Sequence, residues 1–159
     1  MKRHPVTVVL CAASLIGNGM AFSQSAWEAK GHTATLTRIF PEAKNAYGTA
    51  IIDWDPSSKC LPTVGIAITQ GSALGSYKRG QKASQNMTVA IKGVQWSDST
   101  VIAEYTGGFE VMMYAPPDLL TAMKSADLIE IAAFKGSMRF GFPLNGAAQA
   151  INFAKLKCK

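Results

Sequence analysis

Apolar residues recur at every second position over most of the chain, the period of strands that lay one face against a core. Val64, Ile66 and Ile68 alternate with Gly65 and Ala67, and Met87, Val89 and Ile91 with Thr88, Ala90 and Lys92. Val101, Ala103 and Tyr105 continue the pattern, as do Phe109, Val111 and Met113. Ile129 and Ile131 flank Glu130, and Met138, Phe140 and Phe142 flank Arg139 and Gly141. An earlier strand is expected over 49–54. Gly107-Gly108, between two of these runs, predicts a hairpin turn, because Gly supplies the positive φ such turns require.

Two segments break the period. Pro116-Pro117-Asp118 leads into Leu119, Leu120 and Met123, a short helix with Pro and an acid at its start. From Asn145, read as an N-cap, Leu144, Ala147, Ala148, Ile151, Ala154 and Cys158 fall mostly three and four apart, one face of a terminal helix. Residues 70–85 are rich in Gly, Ser and Lys, have no clear period and read as a loop or irregular hairpin. The expected fold is mainly β: an antiparallel β-sandwich with a short helix and a C-terminal helix packed on it.

Residues 1–23 follow a different rule. Lys2 and Arg3 precede a short apolar core from Val6 to Ile16, and Ala21-Phe22-Ser23 sets small residues before a cut at Gln24. This is the three-part pattern of a secretory signal peptide; a cut between Ala21 and Phe22 is the alternative. The apolar core is about ten residues, roughly half the length a membrane-spanning helix needs. The expected organisation is a leader over 1–23 and a single β-rich domain over 24–159. The expected location is the periplasm or beyond, with no membrane segment after cleavage.

Composition sharpens this. The chain has 159 residues, 48% apolar and 16% charged, too apolar for a disordered chain and too poor in charge for a long coiled coil. Without its leader it keeps two cysteines, Cys60 and Cys158, and one histidine, His32. Two cysteines in an exported chain read most simply as one disulfide. The alternative is a nucleophilic or metal-binding thiol; a metal site needs three or four ligands, and one histidine is left to help.

The C-terminal half has a recognisable layout: Asp118-Leu119-Leu120, Leu128-Ile129-Glu130-Ile131, Phe140-Gly141-Phe142-Pro143-Leu144-Asn145-Gly146-Ala147, then Ala150-Ile151 and Cys158. It resembles small exported bacterial accessory proteins of the type VI secretion-associated class and is similar in layout to the invasion-associated locus B class. The matching part covers about residues 86–158. The resemblance implies a β-rich periplasmic domain with no known catalytic centre.

Candidate chemistry is sparse. His32 has no G-x-S-x-G nucleophile turn to serve and reads as a surface residue near a strand end. Asp53 and Asp55 flank Trp54 as two carboxylates on one side of a strand, a pair that can do acid–base work or bind a cation. The following Pro56 favours the plainer reading, a strand ending in a turn. No nucleotide-binding, zinc or EF-hand pattern occurs. No catalytic residue, metal or cofactor is therefore expected.

Charge carries more. Removing Lys2 and Arg3 from 16 basic residues leaves 14 against 10 acids, a net of +4. No Asp or Glu occurs from Pro56 through Ser97, nor after Glu130. A Cys60–Cys158 bridge would set Lys59 beside Lys157 and Lys159, so the two acid-free segments would share a positive end that attracts acidic partners. Tyr77, Lys78, Arg79 and Lys82, in the unpatterned loop, are candidate partner-binding residues. The expected function is an exported, non-enzymatic accessory or binding module of a secretion or envelope machine. Its expected partner is another envelope protein or an anionic envelope component, not nucleic acid. The alternative is an inhibitor or immunity-type protein that binds a cell-wall-degrading enzyme, with a small hydrolase third.

Overall fold

The computed structural model describes residues 26–40, 46–69, 84–105, 108–133, 136 and 138–158. Nine strands follow one another as β1 (Glu28–Lys30), β2 (Thr33–Phe40), β3 (Ala46–Trp54), β4 (Pro62–Thr69), β5 (Ser84–Ile91), β6 (Val94–Tyr105), β7 (Gly108–Tyr114), β8 (Leu128–Ala133) and β9 (Met138–Pro143). Helix α1 (Pro117–Ser125) separates β7 from β8, and α2 (Ala147–Lys157) follows β9. The spatial order is β1-β2-β3-β4-β7-β6-β5-β8-β9, with every neighbouring pair antiparallel.

The expected β-sandwich with two helices is what forms, and β6 belongs to both of its sheets. Up to Val101, β6 pairs with β5; from Ile102 onward it pairs with β7. At the switch Thr100 is buried, and its hydroxyl donates to the carbonyl of Met112. A side chain thus bonds a carbonyl just beyond the paired part of the β6–β7 ladder, where an unpaired buried group would be costly.

Alternation sets the core. Leu36, Ala50, Ile66 and Val111 form one row across the first sheet, all buried. Met87, Val89, Ile129, Ile131, Phe140 and Phe142 supply the second sheet. Phe40 joins the two, edge-on to Phe140 at 4.9 Å and to Phe142 at 5.5 Å between ring centroids. Gly65 lies opposite Met112, and a Cβ there would meet the carbonyl oxygen of Val111 at 2.1 Å. Only glycine allows β4 and β7 this approach.

Where β2 and β9 face each other across the sandwich, side chains bond the edge. Arg38 donates to the carbonyl of Gly141, and the Trp27 indole donates to the carbonyl of Pro143 at 2.8 Å. Filling the carbonyls of an edge strand blunts it as a template for another chain.

The helices close the remaining side. Pro117 and Asp118 open α1 as the sequence predicts, and Leu119 and Met123 are its buried residues. Asp118 also accepts from the Trp96 indole at 2.8 Å. Helix α2 buries Ala147, Ala150, Ile151 and Ala154 against β1, β2, β3 and α1. Asn145 is not its cap: Gly146, at φ 80°, precedes the first turn without a side-chain cap. Strands β1 and β2 and the first half of β6 lie beyond the sequence reading. Ser84 and Gln85, expected in a loop, begin β5. Gly108 opens β7 opposite Tyr105, while Gly107 lies outside the described residues.

Candidate binding surface at the disulfide

After β3, the chain turns sharply. Asp55 accepts hydrogen bonds from the backbone N–H and the hydroxyl of Ser57, opening a 3₁₀ turn over Pro56–Ser58. These bonds hold its carboxyl below the usual carboxylate range, the hydroxyl having the larger effect. Lys59 and Cys60 follow, both left-handed, at φ 59° and 57°. Backbone N–H groups of Lys59, Cys60 and Leu61 bond back to Pro56, Asp55 and Ser58. The turn aims Cys60 at the end of α2, where it is bonded to Cys158, Cα to Cα 5.9 Å. The disulfide read from the two cysteines is present.

The bridge brings Lys59 and Leu61 to the last turn of α2. That turn carries Lys155, Leu156 and Lys157, with Phe153 one turn back. On a helix of about 3.6 residues per turn, Leu156 projects opposite the buried alanine stripe. Phe153 lies about 60° from Leu156, and Lys155 and Lys157 each about 100° from it, on opposite flanks. Leu156 is 72% exposed, Leu61 54% and Phe153 47%. The Lys157 ammonium sits 5.2 Å from the centre of the Phe153 ring, a cation–π distance.

The lysines are locally stable there, because the C-terminal end of a helix is its negative pole. None of them has a carboxylate within ion-pair distance among the described residues; the one contact at that distance joins His32 to Asp53. The two acid-free stretches of the sequence, Pro56 to Ser97 and the residues after Glu130, anticipated this positive end. The apolar ridge is new, although its signal was in the sequence. Phe153 and Leu156 are large apolar residues on the wrong side of a helix whose other face already fills the core.

The other candidates fall differently. Asp53 accepts from the Thr33 hydroxyl at 2.6 Å and contacts His32 Nδ1 at 2.9 Å. Asp55 turns to Ser57 instead, so the two carboxylates form no pair, and the turn reading of Asp-Trp-Asp-Pro holds. Among the described residues no three His, Cys, Asp or Glu side chains gather as a metal site, and no helix is long and apolar enough to cross a membrane. The outer face of the second sheet holds two shallow depressions of about 330 and 420 Å³ that share Ala90, Gln95 and Glu130. Tyr77, Lys78, Arg79 and Lys82 lie outside the described residues, as do residues 1–23 and Lys159.

No family model matches the chain, and no curated protein does. Among solved structures it is similar to invasion associated protein B from Bartonella henselae, at 14% identity over 82% of this chain and 96% of that one, with a TM-score of 0.48. That likeness is a weak one of fold alone.

Proposed function

We propose that this protein is an exported, non-enzymatic accessory or binding module of a bacterial envelope or secretion machine, and that it engages an anionic partner through the end of the molecule at the disulfide. One observation carries the reading: the Cys60–Cys158 bond unites Lys59 and Leu61 with Lys155, Leu156 and Lys157. Lysines with no carboxylate partner among the described residues, beside exposed apolar side chains, form a surface that attracts negative charge and then gains from losing water. The leader pattern and the bridge support export.

The test is photo-cross-linking in the native host. A photoreactive residue at position 156 should give adducts, and one at position 130, on the outer face of the second sheet, should not. Adducts at 156 should fall when Lys59, Lys155 and Lys157 are all changed to Gln. Adducts at 130 and none at 156, or adducts at 156 indifferent to the lysines, would overturn the assignment.

A further inference from the structure

We infer that the anionic partner of this surface is a lipid bilayer, on which the α2 ridge rests with Leu156 and Phe153 in the headgroup boundary; this rests on the reading just proposed. Three features favour a bilayer over an acidic protein. First, Leu156 projects outward: it borders a wide, shallow depression of about 590 Å³ with Asn152, Lys155 and Cys158 but is itself 72% exposed rather than sunk in it. Leu156 stands at the crest of a helix with lysines on both flanks, whereas apolar anchors at protein interfaces fill pockets and are ringed by contacts that exclude water.

Second, every cation of the surface among the described residues is lysine. Protein interfaces are enriched in Arg and depleted in Lys, because the planar guanidinium fork matches a carboxylate with two bonds. A membrane surface presents diffuse negative charge and asks only for point charges near it. Third, lysine stems are apolar and the heads polar, so flanking lysines can keep their ammonium groups among the phosphates while Leu156 and Phe153 go deeper. A helix that lies in an interface has this cross-section. Here the opposite face of the helix is occupied by the protein core, which fixes how the domain would sit on the lipid.

The same features limit the strength of binding. Each lysine near an anionic surface contributes about a fivefold gain in partition. Three lysines and a short apolar ridge give peripheral, reversible attachment, comparable to the weak hold of one acyl chain. Attachment should weaken as salt rises, because screening shortens the reach of the lysines.

The experiment is co-flotation of the disulfide-bonded protein with vesicles of equimolar phosphatidylglycerol and phosphatidylcholine, and with vesicles of phosphatidylcholine alone. The protein should float with the first and not the second. Changing Lys59, Lys155 and Lys157 together to Gln should lower partition on the order of a hundredfold. Leu156→Ser should lower it about tenfold with the thermal midpoint of unfolding unchanged, since Leu156 contributes nothing to the core. No flotation with anionic vesicles, or flotation indifferent to Leu156→Ser and Phe153→Ser, overturns the bilayer. If vesicles fail while cross-links from position 156 reach an acidic protein and depend on the lysines, the bilayer falls and the anionic-partner reading stands. If those cross-links fail as well, both fall.

Discussion

The indole of Trp27 donates its N–H to the carbonyl of Pro143, 116 residues further along the chain. Trp27 is buried and the bond itself partly so, closing the gap between the start of the first sheet and the edge of the second. Trp27→Phe keeps an aromatic ring and strands the carbonyl. The expected loss is about 2 kcal/mol, read as a lower urea midpoint with an unchanged slope. Arg38→Met, at an exposed side chain, should cost less, about 1 kcal/mol. Equal stability of Trp27→Phe and the parent would mean the edge is held by packing alone.

The disulfide joins residues 98 apart and should be a large part of stability. Changing Cys60 and Cys158 together to Ser, or reducing the parent, should cost about 2–5 kcal/mol. Denaturant melts with and without reductant would show this. The double variant should not respond to reductant.

Gly65 sits where the two sheet strands β4 and β7 approach most closely. In Gly65→Ala the new methyl group meets backbone, the Val111 oxygen and Met112 Cα, as well as the Met112 sulfur. Backbone cannot swing away, so the cost should be at or above the usual overpacking range, about 3 kcal/mol. Gly48→Ala meets the ring of Phe40, a side chain rather than backbone, and should cost less. The reverse ranking in thermal melts would overturn this account.

How far the sequence reveals this molecule depends on whether a side chain serves one purpose or two. Strands such as Val64–Ile68 and Phe109–Met113 are legible because each inward position is apolar and does nothing but fill the core. Strand β2 is not, because Arg38 occupies an inward-parity position and Ile39 an outward one, which inverts the alternation. The structure gives the reason: Arg38 reaches across to the carbonyl of Gly141 while its guanidinium lies 5.4 Å from the Phe40 ring centre. The positive end was legible from acid-free stretches once the two cysteines were paired. The ridge is hidden in the sequence because Phe153 and Leu156 look like core residues until α2 is given its buried face.

Glu110 gives a pH signature. Burial, and then the charge of Asp53, hold its carboxyl above its ordinary value of 4.5. The folded chain keeps this proton to higher pH than the unfolded chain, so ionised Glu110 works against folding at neutral pH. Glu110→Gln should be more stable than the parent at neutral pH, by a small amount because the group is only half-buried. The gain should shrink as pH falls through the raised value and vanish below 4.5. Asp55 and Asp118 act with the opposite sign. Their carboxyls are held low by Ser57 and Trp96, so what they contribute is present above 3.8 and is lost as acid protonates them. A gain for Glu110→Gln that persists in acid would point to packing instead.

Lys59 permits a separation of folding from binding. Its left-handed backbone, φ 59°, costs an L residue about 1–2 kcal/mol. Glycine removes that cost while adding about 0.4–1 kcal/mol of unfolded-chain freedom. Lys59→Gly should therefore melt at or slightly above the parent temperature and yet bind its anionic partner more weakly. A clearly lower melting temperature would show that the lysine side chain supports the turn.

The position of α2 has a consequence for how the chain comes into being. Strands β1 and β2 are made first among the described elements, and the helix that covers them is made last. Until residues 147–158 have emerged, β1 and β2 lack part of their cover and Cys60 has no partner. The domain can complete itself only once its own last element, α2, has been made. A chain stalled at Gly146 would carry all nine described strands and still leave its oldest edge uncovered.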